Sequence, residues 1–352
     1  MGVLLKTAVV GVSVVGLALI AYERAGSGQL AQAAGAGDLT RVKALLAAGA
    51  DPNATQYGFS ALFHAVNNGN VKMVKMLVGL GADVNQASWD IAPLYLAAKK
   101  RYKETMRALL EAGADPNATH KGQMTALLMA ACHGDLELVD SLLAAKADVN
   151  QCSERGVSPL YAASVLGYVE IARLLVAAGA NVNVTEHQFG LSPLLIAAHA
   201  GHKTLVKLLL AAGADINYCS KRPDTCKRGL WSLHDDDVAG FSPLCLAVAN
   251  NHVDMVLALI IAKADVNKGS PAPLLRAIQL GSLNMAKILL RANAKTDTAF
   301  HGESLVSLAA KLGHEDIVRA LVEAAKQAKP SFLTRVLSRE PSLDLSSPSH
   351  AA

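Results

Sequence analysis

Apolar residues along this chain come in short blocks at helical spacing, and strand-type alternation is missing. Two blocks show the form: Val71, Val74, Leu77 and Val78, and then Leu205, Val206, Leu208, Leu209 and Leu210. Each lays one apolar stripe along a helix, so these positions are assigned to the core. The second block is preceded by Gly-Leu-Ser-Pro-Leu-Leu-Ile-Ala-Ala at 190–198 and followed by Ala-Ala-Gly-Ala-Asp-Ile-Asn at 211–217. Ser192 is a good N-cap, and Pro193 falls at the first helical position, where a missing N–H costs nothing. Gly213 stands where a helix ends in the left-handed region. The pattern predicts helix, turn, helix and a short extended close.

That unit returns along the chain. Its opening cap position is occupied by Ser60, Ala92, Thr125, Ser158, Ser192, Ser242, Ala272 and Ser304, at steps of 32, 33, 33, 34, 50, 30 and 32 residues. A degenerate earlier copy places Ala33 32 residues before Ala65, giving nine units. The close recurs in step as Ala-Asp-Pro-Asn at 50–53 and 114–117, and as Ala-Asp-Val-Asn at 82–85, 147–150 and 264–267. A fixed period near 33 marks a solenoid, in which each copy buries its apolar face against its neighbours.

These phrases resemble the ankyrin-repeat family, whose units carry Gly-x-Thr-Pro-Leu-His-x-Ala-Ala and then Gly-Ala-Asp-Val-Asn. The resemblance covers roughly 28–325. It implies an all-α solenoid of about nine helix-turn-helix units with β-hairpin fingers, preceded here by an N-terminal hydrophobic helix. One departure is systematic: the family His is replaced by Phe63, Tyr95, Leu128, Tyr161, Leu195, Cys245, Leu275 and Ser307. Lys146, Lys263 and Asn293 stand where Gly would end the second helix. A side chain at a left-handed site costs about 1 kcal/mol against Gly.

Composition supports the solenoid and excludes several functions. The formal charge of +4 is spread over many units, with no cationic cluster interleaved with aromatics, so nucleic acid is not an expected partner. Five cysteines do not make a disulfide scaffold. No phosphate loop, nucleotide fingerprint or nucleophile with a base at a credible spacing appears, so no catalytic residue, cofactor or small-molecule substrate is assigned. Three sequons, at Asn53, Asn117 and Asn183, follow from the repeat's closing Asn.

The ends differ from the middle. Residues 7–22 are an uncharged apolar run, which Lys6 separates from Gly2–Leu5. The expectation is a single-pass membrane anchor and short joint over 1–27, with Lys6 snorkelling and the repeats in the cytosol. A cleaved signal peptide with secretion is the alternative, and a buried first helix a third. Residues 326–352 read as a short amphipathic segment and a Ser/Pro-rich disordered tail.

Resemblance to the family places binding on a concave side, through finger tips and the two residues after each Ala-Ala. The candidates are Tyr57, Asn67, Asn68, Trp89, Lys99, Lys100, His133, Val165, Leu166, Phe189, His199 and Trp231. Eight of the fifteen aromatics (Tyr57, Phe59, Trp89, Phe189, Tyr218, Trp231, Phe241 and Phe300) lie in fingers, the residue types that dominate interface energies. For Phe59 and Phe241, packing between fingers is expected instead. Lys99, Lys100, Arg101 and Lys103 form the one basic knot, either a solvated face or a docking patch for an acidic partner or lipid headgroups. The step of 50 places an inserted loop at 218–239, carrying Cys219, Cys226, His234 and Asp235–Asp237. A plain loop, a Cys219–Cys226 disulfide and a metal site all remain open there, although Cys-x6-Cys is not a zinc spacing. The expected function is a non-enzymatic, membrane-anchored scaffold that binds another protein. A recruiting adaptor for a ubiquitin ligase or kinase, and an enzyme or metalloprotein using the 218–239 loop, are the rivals.

Overall fold

The computed structural model describes residues 28–120, 124–221 and 240–327. It divides into two compact units, one ending at His187 and one beginning at Gln188. The first holds five helix pairs: α1 (28–36) with α2 (Leu39–Ala47), α3 (Ala61–Asn67) with α4 (Val71–Gly79), α5 (Pro93–Lys100) with α6 (Lys103–Glu111), α7 (Ala126–His133) with α8 (Leu136–Ala144), and α9 (Pro159–Leu166) with α10 (Val169–Ala177). The second holds four: α11 (Pro193–Ala200) with α12 (Lys203–Ala211), α13 (Pro243–Ala249) with α14 (Val253–Ile261), α15 (Pro273–Gln279) with α16 (Leu283–Arg291), and α17 (Leu305–Lys311) with α18 (Glu315–Gln327). The apolar run at 7–22 lies outside the described residues. Among the described residues, no helix is long and apolar enough to cross a membrane.

Local chemistry starts and stops these helices as the pattern predicts. The hydroxyls of Ser60, Thr125, Ser158, Ser192, Ser242 and Ser304 each accept from the backbone N–H three residues on, at 3.0–3.2 Å. Ala92 and Ala272 have no such bond to offer. Helix pairs turn through a left-handed residue closed by two back-bonds. At Gly134 (φ +71°), for example, the Gly134 N–H donates to Ala131 and the Asp135 N–H to Ala130. Lys146, Lys263 and Asn293 do adopt φ of +65 to +69° where Gly was expected.

Each first helix from α3 on packs on its own second helix and on the first helix of the next copy in the same unit. Each second helix from α4 to α16 buries a set at i, i+1 and i+4, such as Met73, Val74 and Leu77, or Leu205, Val206 and Leu209. Val71, Val78, Leu208 and Leu210, assigned to the core from the sequence, are only half-buried. A helix covered on one side buries one stripe, and these apolar runs are wider than the stripe.

Two devices tie successive copies together. One is a ladder of closing Asn side chains: Oδ1 of Asn53, Asn85, Asn117 and Asn150 accepts from the backbone N–H of Asp83, Asp115, Asp148 and Asn181, at 2.7–2.8 Å. In the second unit Asn217 and Asn267 do the same for Asp265 and Lys295. The other is a ring seated on the inter-helix glycine of the preceding copy. A Cβ added at Gly69, Gly134, Gly201 or Gly281 would lie 2.6–3.2 Å from Tyr102, Tyr168, His252 or His314 respectively. Where the left-handed residue carries a side chain instead, Arg101 or Asn251, the next copy supplies Asp135 or Ser282 in place of a ring.

Hairpin fingers form at three places among the described residues, fewer than the family pattern suggests. These are β1 (Thr55–Gln56) with β2 (Phe59–Ser60), β3 (Thr119–His120) with β4 (Met124–Thr125), and β5 (Ala299–Phe300) with β6 (Glu303–Ser304). A fourth finger has the single bridge Ser88–Ile91. Elsewhere in the second unit, the finger backbones make single bonds across or between fingers. Ser220 donates to Phe241, Lys221 to Phe189 and Ser270 to Gly240. The Ser220–Phe241 bond brackets 222–239, most of the inserted loop, which lies outside the described residues along with Trp231, Cys226 and His234.

Candidate interaction surface

The finger tips of the first unit carry the two most exposed aromatics among the described residues. Tyr57 is 84% exposed and Trp89 66%. Tyr57 and Gly58 have φ of +52° and +82°, and Trp89 and Asp90 have +52° and +58°, so both tips turn through two left-handed residues. Such turns favour Asn-Gly or Gly-Gly, and a bulky ring there carries strain. The two tips are joined: Trp89 Nε1 donates to the Tyr57 carbonyl at 2.8 Å. Beneath them Phe59 packs against Trp89, Phe63 and His64, with ring centroids 4.8–6.3 Å apart. Phe59 is therefore an inter-finger packing residue, as expected, and Trp89, though exposed, packs on it from the next finger. Phe189, Tyr218, Phe241 and Phe300 are half-buried, so their rings are not the free edges that finger position alone suggested.

The residues that end the first helices differ along each unit. In the first unit Asn67 is half-buried, and exposed Asn68 spends its amide on the Gly35 carbonyl at 2.9 Å. Lys99 and Lys100 are exposed and form no ion pair among the described residues. His133 is half-buried, with its Nδ1 buried and unpartnered among the described residues. Val165 and Leu166 are exposed apolar residues. The basic knot is only half available. Lys103 lies 2.7 Å from Glu137 and 3.4 Å from Asp135, and Arg101 lies 3.9 Å from Asp135. Asp135 is a buried carboxylate that caps α8, and with Glu137 it offsets the charge of Lys103, while Arg101 stays mostly exposed.

In the second unit His199 joins a polar cluster. Asn250 Nδ2 donates to His199 Nδ1 at 2.9 Å, and His252 Nε2 donates to the His199 carbonyl at 3.2 Å. An amide nitrogen can only donate, so His199 Nδ1 must be unprotonated. Burial, reinforced by His252, holds the His199 pKa below the usual value, and burial does the same for His64. The unfolded chain therefore binds these protons more readily than the folded one. Stability is expected to fall as pH drops through about 6.5. Urea titrations between about pH 7 and 5 check this, and His199→Gln should flatten the slope.

Other buried and half-buried polar groups lie outside the binding candidates assigned from the sequence. The Tyr95 ring stacks on His120 of the next finger at 4.9 Å, and His120 Nδ1 donates to the Asp90 carbonyl at 3.2 Å. The Tyr161 phenol is pushed up to about 12 by burial, with the buried Glu186 carboxylate adding to the shift. Arg276 is buried on α15. Reading the copies in register would have flagged it, because most equivalent positions are apolar (Leu96, Met129, Ala162, Ile196, Leu246, Leu308). Cys219 is a half-buried free thiol. No group of three or more His, Cys, Asp or Glu is placed to hold a metal among the described residues.

The family model for ankyrin repeats (3 copies) matches residues 30–120, 94–186, 127–220, 180–270, 218–299 and 244–331. No curated protein matches the chain. The matches run without a gap from 30 to 331, over the same helix pairs, capping hydroxyls and closing asparagines described above. The chain belongs to the ankyrin-repeat family.

Proposed function

We propose that the chain is a non-enzymatic scaffold that binds another protein through the first unit's finger tips, held near a membrane by residues 7–22. Ankyrin-repeat membership supports the protein-binding part. The observation that carries the site is the pair Tyr57 and Trp89: two large exposed rings on turns where their side chains are disfavoured. Trp89 offsets part of its strain by packing on Phe59 and bonding the Tyr57 carbonyl, so the 84% exposed Tyr57 ring is the one for which a partner is the natural reason. The tether rests on the uncharged run at 7–22 and the short joint that follows it.

Tyr57→Gly separates the two demands on this turn. Gly suits φ of +52°, so the variant is expected to hold its stability or gain up to about 1 kcal/mol. Affinity for proteins captured by proximity labelling of the full chain should fall at least about tenfold, the effect of losing an interface aromatic. Unchanged binding by both Tyr57→Gly and Trp89→Ala would remove the site. For the tether, the labelled neighbourhood of the full chain is compared with that of a chain starting at Gly28. Identical membrane neighbourhoods would remove it.

A further inference from the structure

The most anomalous charge among the described residues is Arg276. Its side chain sits on α15, 7% exposed, and Nη1 donates to the neutral Gln279 Oε1 at 3.1 Å. Nε is buried with no acceptor, and no carboxylate among the described residues pairs with the guanidinium. The nearby Cys245 thiol is not a counterion. It donates to the Pro271 carbonyl at 3.2 Å, and burial pushes its pKa up to about 12 even with Arg276 beside it. A guanidinium stripped of water and left without an anion is strongly unfavourable, so an apolar side chain would serve the fold better. Neighbouring copies use one here, Leu246 before and Leu308 after.

With Nη1 taken by Gln279 and Nε closed off from solvent, Nη2 is the donor left to meet a carboxylate oxygen in a charge-assisted bond. That donor belongs to the same helix end as half-buried Gln279 and exposed Leu280, one of the residue pairs that follow the first helices. We infer that Arg276 is the anchor of a carboxylate-binding site, which accepts an acidic side chain of a protein partner beside Gln279 and Leu280. This deepens the scaffold reading and rests on it for the source of the carboxylate.

The test uses the full chain and a fluorescent hexaglutamate peptide, with hexaglutamine and inorganic phosphate as comparisons. Hexaglutamate is expected to bind, hexaglutamine not, with affinity falling as salt rises and at least tenfold weaker for Arg276→Gln. Lys207→Gln, an exposed lysine on α12 of the same unit, should leave it unchanged. Without peptide, Arg276→Met should melt no lower than the parent chain, because it removes an unpaired buried charge. Hexaglutamate binding that survives Arg276→Gln, or phosphate binding in its place, would overturn the site. So would a fall in melting temperature shared by Arg276→Met and by Asp235→Asn/Asp236→Asn/Asp237→Asn, since the anion would then be the chain's own. None of these outcomes touches the Tyr57→Gly result, so the two readings fail separately.

Discussion

Replacing Leu142 with Ala is expected to lower the free energy of unfolding by about 3 kcal/mol, the usual range for a fully buried leucine being about 2–5. Leu142 is inaccessible to solvent and completes the i, i+1, i+4 set of α8 with Leu138 and Val139. The removed methyl groups lose contact with α7 and α10, both of which pack on α8. In a solenoid each copy is stable only against its neighbours, so the damage should spread along the unit rather than stay local. Amide exchange is therefore expected to speed up in α7 and α10 as well as in α8. The neighbouring Leu143 is half-buried, and Leu143→Ala should cost only about 1 kcal/mol. Urea unfolding of the two variants measures the difference, and equal losses would contradict the burial stripe.

Gly134→Ala should cost more than its chemistry suggests, about 2–3 kcal/mol, and most of it should depend on a residue in the next copy. The left-handed conformation at φ +71° accounts for about 1 kcal/mol. The remainder comes from the added Cβ, 2.6 Å from Cζ of Tyr168. Gly113 isolates the first term, because it has φ +83° and nothing within 4 Å of a Cβ. Gly113→Ala is accordingly expected to cost about 1 kcal/mol. In the double variant Gly134→Ala/Tyr168→Ala the clash disappears, so the losses should fall short of additivity by at least about 1 kcal/mol. Additive losses would mean that the ring does not rest on the glycine. The same logic explains Arg101: with a side chain at the left-handed site, a ring from the next copy has no room, and Asp135 pairs with the cation instead.

Much of the candidate surface needed coordinates. Tyr57, Trp89 and Phe189 look alike as aromatics near a turn, yet Phe189 is half-buried and the first two are exposed and hydrogen-bonded to each other through Trp89 Nε1. Lys103 and Arg101 read as part of a free basic knot until Asp135, more than thirty residues on, proves to lie between them. Asn68 reads as a contact residue, but its amide holds the preceding copy's Gly35 carbonyl. In each case the partner is about one repeat away, a separation at which a linear pattern says which copies are neighbours but not which atoms meet.

The sequence alone determined the period, the number of helix pairs, their caps and their left-handed ends. These depend on interactions within a few residues and on apolar spacing that every copy repeats. Lys146, Lys263 and Asn293 could be recognised as left-handed because the neighbouring copies have Gly in register. Only the tertiary structure decided which half of an apolar run is buried, which rings stay in solvent and which charges are cancelled. It also left Arg276 without an anion among the described residues. Burial and pairing are set by what the adjacent copies bring against a side chain, and identical local patterns meet different neighbours.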